Sequence, residues 1–264
     1  QVLGWLEEWL QTEWPDLRVY CASVTEQYAT INLAGPNARA LLASLTDMDV
    51  SREAFPFMTW REGRVADLRA RIFRVSFTGE LSYEINVPAS YGMDLWNACV
   101  TAGEKLGLVP FGTEALHVLR AEKGYIAIGQ DTDGTVTPID LGMSGLVSKK
   151  KDFLGKRSLA RADMTAPGRR EYVGLLTTNP QEVLPEGAHI VEQVLPKPPM
   201  KTLGHVTSSY YSPTLKRSIA LAMLENGRAR IGEPARLPLE DGRTVTATVT
   251  GPTFFDPDGE RLHA

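Results

Sequence analysis

Two stretches of the chain carry residue types that could do chemistry, and the first lies at residues 76–84. A strand-like run stops at Gly79, and Glu80 follows on a turn before the next run begins. A carboxylate on such a turn can accept two parallel N–H donors of a heterocycle, because its two oxygens match that spacing. An exposed turn glutamate without any ligand would look the same, so the pattern leaves both interpretations open.

The second stretch is the helical pattern at residues 115–124. Arg120 lies near its C-terminal end, where an arginine can complement the helix dipole or reach the carboxylate of a ligand. A structural ion pair with Glu114 or Glu122 would use the same side chain. The spacing therefore makes Arg120 a candidate ligand residue and does not decide between these roles.

Several kinds of site are unsupported by the sequence. No C-x-x-C pair, glycine-rich dinucleotide loop or P-loop occurs, and the four histidines are scattered. Residues 131–134 resemble the start of a calcium loop but lack its later carboxylates. The sequence therefore predicts no metal site.

Composition is that of a globular protein. The 264 residues are 43% hydrophobic and 23% charged, with a net charge of -4, which gives no general attraction to nucleic acid or to a membrane surface. Two cysteines do not make a disulfide framework, and no apolar run approaches the roughly 20 residues of a membrane span. We expect a cytoplasmic location.

Hydrophobic periodicity predicts mixed helices and strands in the first part of the chain. Strands are predicted at 18–24, 28–33, 65–77 and 83–87, and helices at 38–45, 93–106 (with Ser90 as its cap) and 113–122. An apolar stripe (Val2, Leu3, Trp5, Leu6, Trp9 and Leu10) predicts a further helix at the start. Because no capping residue precedes it, we expect a fragment of a longer subunit; trimming of a flexible tail is the alternative.

The pattern changes near residues 166–170. Only short strand-like runs follow, at 172–176, 189–194, 202–209, 218–224, 235–239 and 244–250. Runs of this length and spacing predict a small antiparallel barrel or sandwich. We therefore expect an α+β protein of two domains, residues 1–165 and 166–264, with the junction near residues 163–171.

Taken together, the motifs resemble the folate-binding aminomethyltransferase family, which includes the glycine cleavage T-protein. The resemblance covers essentially the whole chain. It is carried by the GP-x-A turn at 35–38, the F-T-G-E-x-x-Y-E segment at 77–84, the A-x-x-x-L-R-x-E-x-G helix at 115–124, Thr137-Pro138, the F-x-G-K segment at 153–156, and residues 204–208 and 211–213.

Within that family the chain is most similar to the C-terminal part of the sarcosine oxidase branch, with dimethylglycine dehydrogenases as near relatives. Lys123-Gly124-Tyr125 stands where the T-protein more usually has Ala-Gly-Leu. Family members begin roughly a hundred residues earlier and carry an aspartate beside the reactive folate nitrogens. That residue has no counterpart to assign here, so the catalytic residue stays unassigned.

The resemblance implies a function and a set of ligands. The family fold is an aminomethyltransferase-like domain followed by a small β-barrel, and the cofactor is tetrahydrofolate. It would accept the one-carbon unit of oxidised sarcosine, giving 5,10-methylenetetrahydrofolate. Flavin and NAD are expected only on other parts of the enzyme, and other subunits or domains are expected as partners. In this reading Glu80 binds the pterin, Tyr83 packs against it or bonds to it, and Arg120 holds the glutamyl carboxylate.

Three alternatives stay open at this point. The chain resembles other aminomethyltransferases, of the glycine-cleavage or dimethylglycine dehydrogenase type. It could also be a non-catalytic folate-binding module. A third use of this scaffold, iron–sulfur cluster assembly, is disfavoured because Lys123-Gly124-Tyr125 lacks the cysteine of the K-G-C-Y segment.

Overall fold

The computed structural model describes all 264 residues, and the chain packs as two compact units. Unit 1 comprises Gln1–Ser76, Glu80–Pro110 and Arg261–Ala264, and unit 2 comprises Phe77–Gly79 and Phe111–Glu260. Each unit has its own hydrophobic core. The predicted boundary between two domains near residues 163–171 stays a prediction.

Unit 1 is built on a four-stranded antiparallel sheet. Its strands are β1 (Tyr28–Ala34), β2 (Trp60–Val65), β3 (Leu68–Phe73) and β4 (Ser82–Pro88), in the spatial order β1-β4-β3-β2. Its helices are α1 (Val2–Thr12), α2 (Ala38–Leu45) and α3 (Gly92–Gly103). The predicted helix at 38–45 is confirmed. The predicted strand at 65–77 is corrected: Val65 ends β2, a two-residue turn with positive φ angles follows at Ala66-Asp67, and β3 covers only Leu68–Phe73.

Alternation along β4 separates the two faces of this sheet. Tyr83, Ile85 and Val87 are fully buried in the core of unit 1, together with residues of α2 and α3 such as Leu42 and Leu95. Ser82, Glu84 and Asn86 lie on the opposite face, as the period of two requires. Helix α3 begins two residues after Ser90, which makes no capping bond, so that predicted cap is wrong.

The start of the chain agrees with the prediction of a helix and differs from the prediction of a strand at residues 18–24. Helix α1 forms, but none of its residues is buried, and the Trp9 ring instead contacts the rings of Trp5 and Trp14. Residues 18–24 form no strand. Most of them are exposed, Tyr20 by 97%, and no neighbouring strand pairs with them. A composition that favours β-structure is not enough to form a strand here, because a strand is stabilised by pairing with a neighbouring strand.

Unit 2 consists of helix α4 (Thr113–Glu122) and a closed six-stranded barrel in the order β10-β5-β8-β7-β6-β9. All six predicted strands are present: β5 Arg170–Thr177, β6 His189–Val191, β7 Thr202–Ser212, β8 Arg217–Glu225, β9 Pro234–Pro238 and β10 Thr244–Thr250. Because the sheet closes on itself, the barrel prediction is confirmed and the sandwich alternative is wrong. The predicted α+β class is also confirmed.

Helix α4 packs on the outside of the barrel, against β7 and β8. Strand β8 is therefore buried on both faces. Ala220 and Ala222 point into the barrel core, whereas Leu221 and Met223 contact an outer cluster that includes Ala121 of α4. This packing brings the C-terminal end of α4 against β7.

Candidate functional site

Glu80 lies on the connection between β3 and β4. Its Oε1 accepts a hydrogen bond from Nη1 of Arg261 at 2.8 Å, and its side chain is 15% exposed. The arginine fixes the direction of the carboxylate, and the exposed fraction leaves part of the side chain within reach of solvent. The sequence predicted the turn position of Glu80, but it gave no signal for a partner 181 residues away.

Arg74 anchors the segment that carries Arg261. Its guanidinium group is 1% exposed and has no carboxylate partner; it donates to the backbone oxygens of Ser82, at 3.2 Å, and Leu262, at 2.6 Å. It also lies over the Tyr83 ring, 5.3 Å from its centroid. Burial lowers the pKa of Arg74. The last residues of the chain are thus held against unit 1 next to Glu80.

Tyr83 lies in the core of unit 1. It is 0% exposed, its ring centroid is 5.7 Å from that of Phe55, and its hydroxyl group has no hydrogen-bond partner. A ligand that bonded to this hydroxyl would have to enter the core. Contact between Tyr83 and a pterin stays a prediction, and the structure assigns the ring a packing role.

A second carboxylate, Glu84, lies on the other face of β4. It stands opposite Asn32 of β1 and Phe73 of β3, is half-buried and forms no ion pair. Ser82 on the same face donates to Oδ1 of Asn32 at 3.2 Å. The strand alternation at residues 82–87 is the sequence signal that separates Glu84 from the core residues beside it.

Arg120 lies in unit 2 and is fully buried. Its guanidinium group donates to Oδ2 of Asp131 at 2.5 Å, to Oγ of Ser208 at 2.7 Å and to the backbone oxygen of Tyr125 at 3.0 Å. The ion-pair partner is therefore Asp131 rather than Glu114 or Glu122. The proposed contact with a folate carboxylate stays a prediction, and such a ligand would compete with Asp131.

Asp131 is the centre of this polar cluster. Besides Arg120, it accepts hydrogen bonds from the hydroxyl groups of Thr207, at 2.5 Å, and Ser208, at 2.7 Å, and from the backbone N–H of Ala127, at 2.9 Å. Both carboxylate oxygens are used, as a buried charge requires. The cluster ties the loop after α4 to β7.

Unit 2 also contains an open polar cavity of about 390 Å³ beside this cluster. Burial raises the pKa of Asp140 in its wall, but hydrogen bonds from Arg169 and Thr137 outweigh burial and hold that pKa below its ordinary value. Burial, with Arg170 nearby, lowers the pKa of His205 on the same wall. No group of histidine, cysteine, aspartate and glutamate side chains is arranged to hold a metal ion.

None of the helices combines the length and the hydrophobicity that crossing a membrane requires.

The sequence model of the GCVT N-terminal domain matches residues 1–151, and that of the glycine cleavage T-protein C-terminal barrel domain matches residues 170–256.

Individual relatives agree with these matches. The chain is 48% identical to sarcosine oxidase subunit alpha of Corynebacterium sp. (strain P-1) over 98% of its length, and 42% identical to that of Rhizobium meliloti over 99%. It is 31% identical to an aminomethyltransferase of Clostridium botulinum, covering 85% of this chain and 59% of the relative. The chain spans about a quarter (27%) of the length of the two sarcosine oxidase subunits.

The solved structure of the glycine cleavage system aminomethyltransferase T from Bartonella henselae superposes with a TM-score of 0.71. The match covers 86% of this chain and 59% of that one, at 24% identity, and shows the shared fold. From the two domain matches, which together account for most of its residues, it follows that this chain belongs to the glycine cleavage T-protein family.

Proposed function

We propose that this chain is the folate-binding part of a sarcosine oxidase. The observation that carries the proposal is its 42–48% identity, over 98–99% of the chain, to sarcosine oxidase alpha subunits. Because the chain spans only about 27% of those relatives, the oxidation of sarcosine at a flavin is assigned to other parts of the enzyme. The partners in this proposal are those other subunits or domains.

The residues around Glu80 fit a pterin. In the proposal the Glu80 carboxylate accepts two parallel N–H groups of the pterin, whose spacing its two oxygens match. Arg261 restricts the rotation of the carboxylate, which reduces the entropy that binding would otherwise cost. The 15% exposed fraction of Glu80 is consistent with a side chain that a ligand can reach.

Tetrahydrofolate, when bound, supplies nitrogen nucleophiles that take up the one-carbon unit, giving 5,10-methylenetetrahydrofolate and releasing glycine. The contribution of this chain is orientation. Glu80 fixes the pterin ring by its N–H groups, and a correctly held ring needs no further ordering when the amine-derived carbon arrives. Tyr83 and Arg120 belong to the proposal as predicted folate contacts. Both are fully buried, so support for direct contact has to come from binding measurements.

A dimethylglycine dehydrogenase-like reaction is the second candidate, because the mouse enzyme is 30% identical over 94% of this chain. Lys123-Gly124-Tyr125, in place of Ala-Gly-Leu, favours an oxidase branch over the glycine-cleavage type. A folate-binding module without turnover is the remaining alternative. Titration with tetrahydrofolate tests binding, and addition of formaldehyde tests formation of methylenetetrahydrofolate. Absence of binding would refute the proposal.

The matched pair Glu80→Gln and Glu84→Gln tests the site itself. Each substitution removes one negative charge at nearly constant volume. Losing a carboxylate–N–H fork costs about 1.5–3 kcal/mol, so Glu80→Gln should weaken tetrahydrofolate binding on the order of tenfold or more, whereas Glu84→Gln should have a smaller effect. Calorimetric titration of the three proteins measures this. An equal or larger loss with Glu84→Gln would remove Glu80 from the site.

A further inference from the structure

Arg74 is a buried cation in unit 1 that has no ionic partner. Its guanidinium carbon lies over two rings, 5.7 Å from the centroid of Phe57 and 5.3 Å from that of Tyr83, and its Nε is buried without a hydrogen-bond partner. A buried charge without a counter-charge destabilises a fold unless other contacts offset it. An apolar side chain of similar length could pack against the same rings, so packing alone does not account for an arginine here.

The two hydrogen bonds of Arg74 reach the chain segments of both partners in the ion pair between Glu80 and Arg261. One acceptor is the backbone oxygen of Ser82, two residues after Glu80. The other is that of Leu262, which directly follows Arg261. Because the donors of a guanidinium group point in fixed directions, they restrict how the two acceptors can move relative to each other. Arg74 thus ties the start of β4 to the last residues of the chain, and all these residues belong to unit 1.

Each of the last three residues is also held on unit 1 by a contact of its own. The Leu262 side chain is buried. The ring of His263 meets that of Phe57 edge-on, with 5.4 Å between the centroids. The backbone oxygen of Ala264 accepts a hydrogen bond from Nη2 of Arg39 at 2.8 Å. The backbone next to the arginine that pairs with the carboxylate is therefore fixed.

We infer that Arg74 is a positioning residue for the Glu80 carboxylate. It holds the backbone beside both members of the pair between Glu80 and Arg261, so the carboxylate meets a ligand in one orientation instead of several. Preorganisation of this kind reduces the entropy that is lost on binding. The inference rests on the proposed function, because it gives Arg74 an effect on folate only through Glu80.

The test is Arg74→Met in the full 264-residue chain. Methionine keeps an unbranched apolar stem against the two rings and removes both hydrogen bonds. Tetrahydrofolate affinity, measured by calorimetric titration at a temperature at which the variant is folded, should fall roughly three- to tenfold, in the range of couplings between contacting residues. An unchanged affinity would overturn the inference.

Arg61→Met is the matched control. The guanidinium group of Arg61 likewise donates to two backbone oxygens of unit 1, those of Asp49 and Ala54. It also lies over an aromatic ring, that of Phe55, at 5.3 Å from the centroid. Neither acceptor adjoins Glu80 in the chain, so this variant should bind tetrahydrofolate as the unchanged chain does, even where it is less stable. A loss of affinity equal to that of the first variant would show an effect of general stability and would overturn the inference.

A double variant identifies the route by which Arg74 acts. With Glu80→Gln already present, Arg74→Met should have little further effect on affinity, because both changes act through one carboxylate. An undiminished effect in that background would overturn the inference while leaving Glu80 in the site. Failure of Glu80→Gln alone to weaken binding would refute the assignment of Glu80 and, with it, the inference. If Arg74→Met does not fold, Arg74→Lys takes its place, because lysine keeps the buried cation but offers one nitrogen where arginine uses two to reach both oxygens.

Discussion

Replacement of Asp131 by asparagine tests what Arg120 does without any ligand. The substitution keeps the shape of the side chain and removes its negative charge, so the 0% exposed guanidinium group of Arg120 loses its only ionic partner. Arg120 keeps the oxygens of Ser208, Tyr125 and Gln130 as acceptors. The ligand-free chain should therefore become less stable and should keep most of its hydrogen bonds.

The magnitude follows from the burial of both partners. Removing one member of a buried ion pair costs about 3–5 kcal/mol, because the other charge stays in a low-dielectric environment. We expect the low end of that range, about 3 kcal/mol, since three acceptors remain around Arg120. For a domain of 150–250 residues each kcal/mol moves Tm by about 2–4 °C, so Tm of unit 2 should fall by roughly 6–12 °C.

Thermal unfolding followed by circular dichroism, without folate, measures this shift. The control is Asp163→Asn, which breaks an Arg–Asp pair of the same chemistry at 3.1 Å whose side chains are 63% and 55% exposed. Exposed pairs contribute about 0–1 kcal/mol, so the control should barely move Tm. Equal shifts for the two variants would refute the reasoning. Unchanged stability together with lost folate affinity would instead favour Arg120 as a ligand residue.

Three further predictions concern other parts of the chain. Burial raises the pKa of the Cys99 thiol to about 11, so mass spectrometry after alkylation at pH 8 should find Cys21 modified well before Cys99, and the reverse order would contradict the burial. The pKa of Asp140 lies below its ordinary value of 3.8, so its pairing with Arg169 stabilises the fold above that pH and is lost as pH falls through the lowered pKa. Unfolding curves of Asp140→Asn and the unchanged chain should therefore differ at pH 7 and converge as the pH falls through the lowered pKa of Asp140; a constant difference would refute the linkage. Limited proteolysis should first cut within residues 163–171, and a first cut inside residues 100–140 would contradict the predicted domain junction.

Local patterns predicted the elements whose stability is local or repetitive. Helix α4 was predicted because Gly112 and Gly124 mark its two ends, and the six barrel strands were predicted because turn residues separate them. The strand predicted at 18–24 failed because its composition favours β-structure but nothing in the fold pairs with it. Burial of α1 could not be judged, since an amphipathic pattern does not say which surface it meets.

In the candidate site, too, local sequence patterns predicted positions along the chain but not the contacts between distant residues. Glu80 could be singled out from its turn, but Arg261 and Arg74 could not be connected to it, because the contacts join residues far apart in the chain. For a structural role of Arg120, the sequence left Glu114 and Glu122 open as ion-pair partners. The actual partner, Asp131, lies in the loop beyond the helix, where no periodicity indicates how the backbone folds back.

The anchoring of the last four residues on unit 1 has a consequence for the order of events during synthesis. Leu262, which supplies an acceptor to the buried Arg74, leaves the ribosome 188 residues after it. Domains generally fold in the order in which they are translated, but here the earlier unit cannot complete its hydrogen bonding until the later one has been made. The guanidinium group of Arg74 in unit 1 therefore stays incompletely hydrogen-bonded until residues 261–264, which follow unit 2 in the chain, have been made.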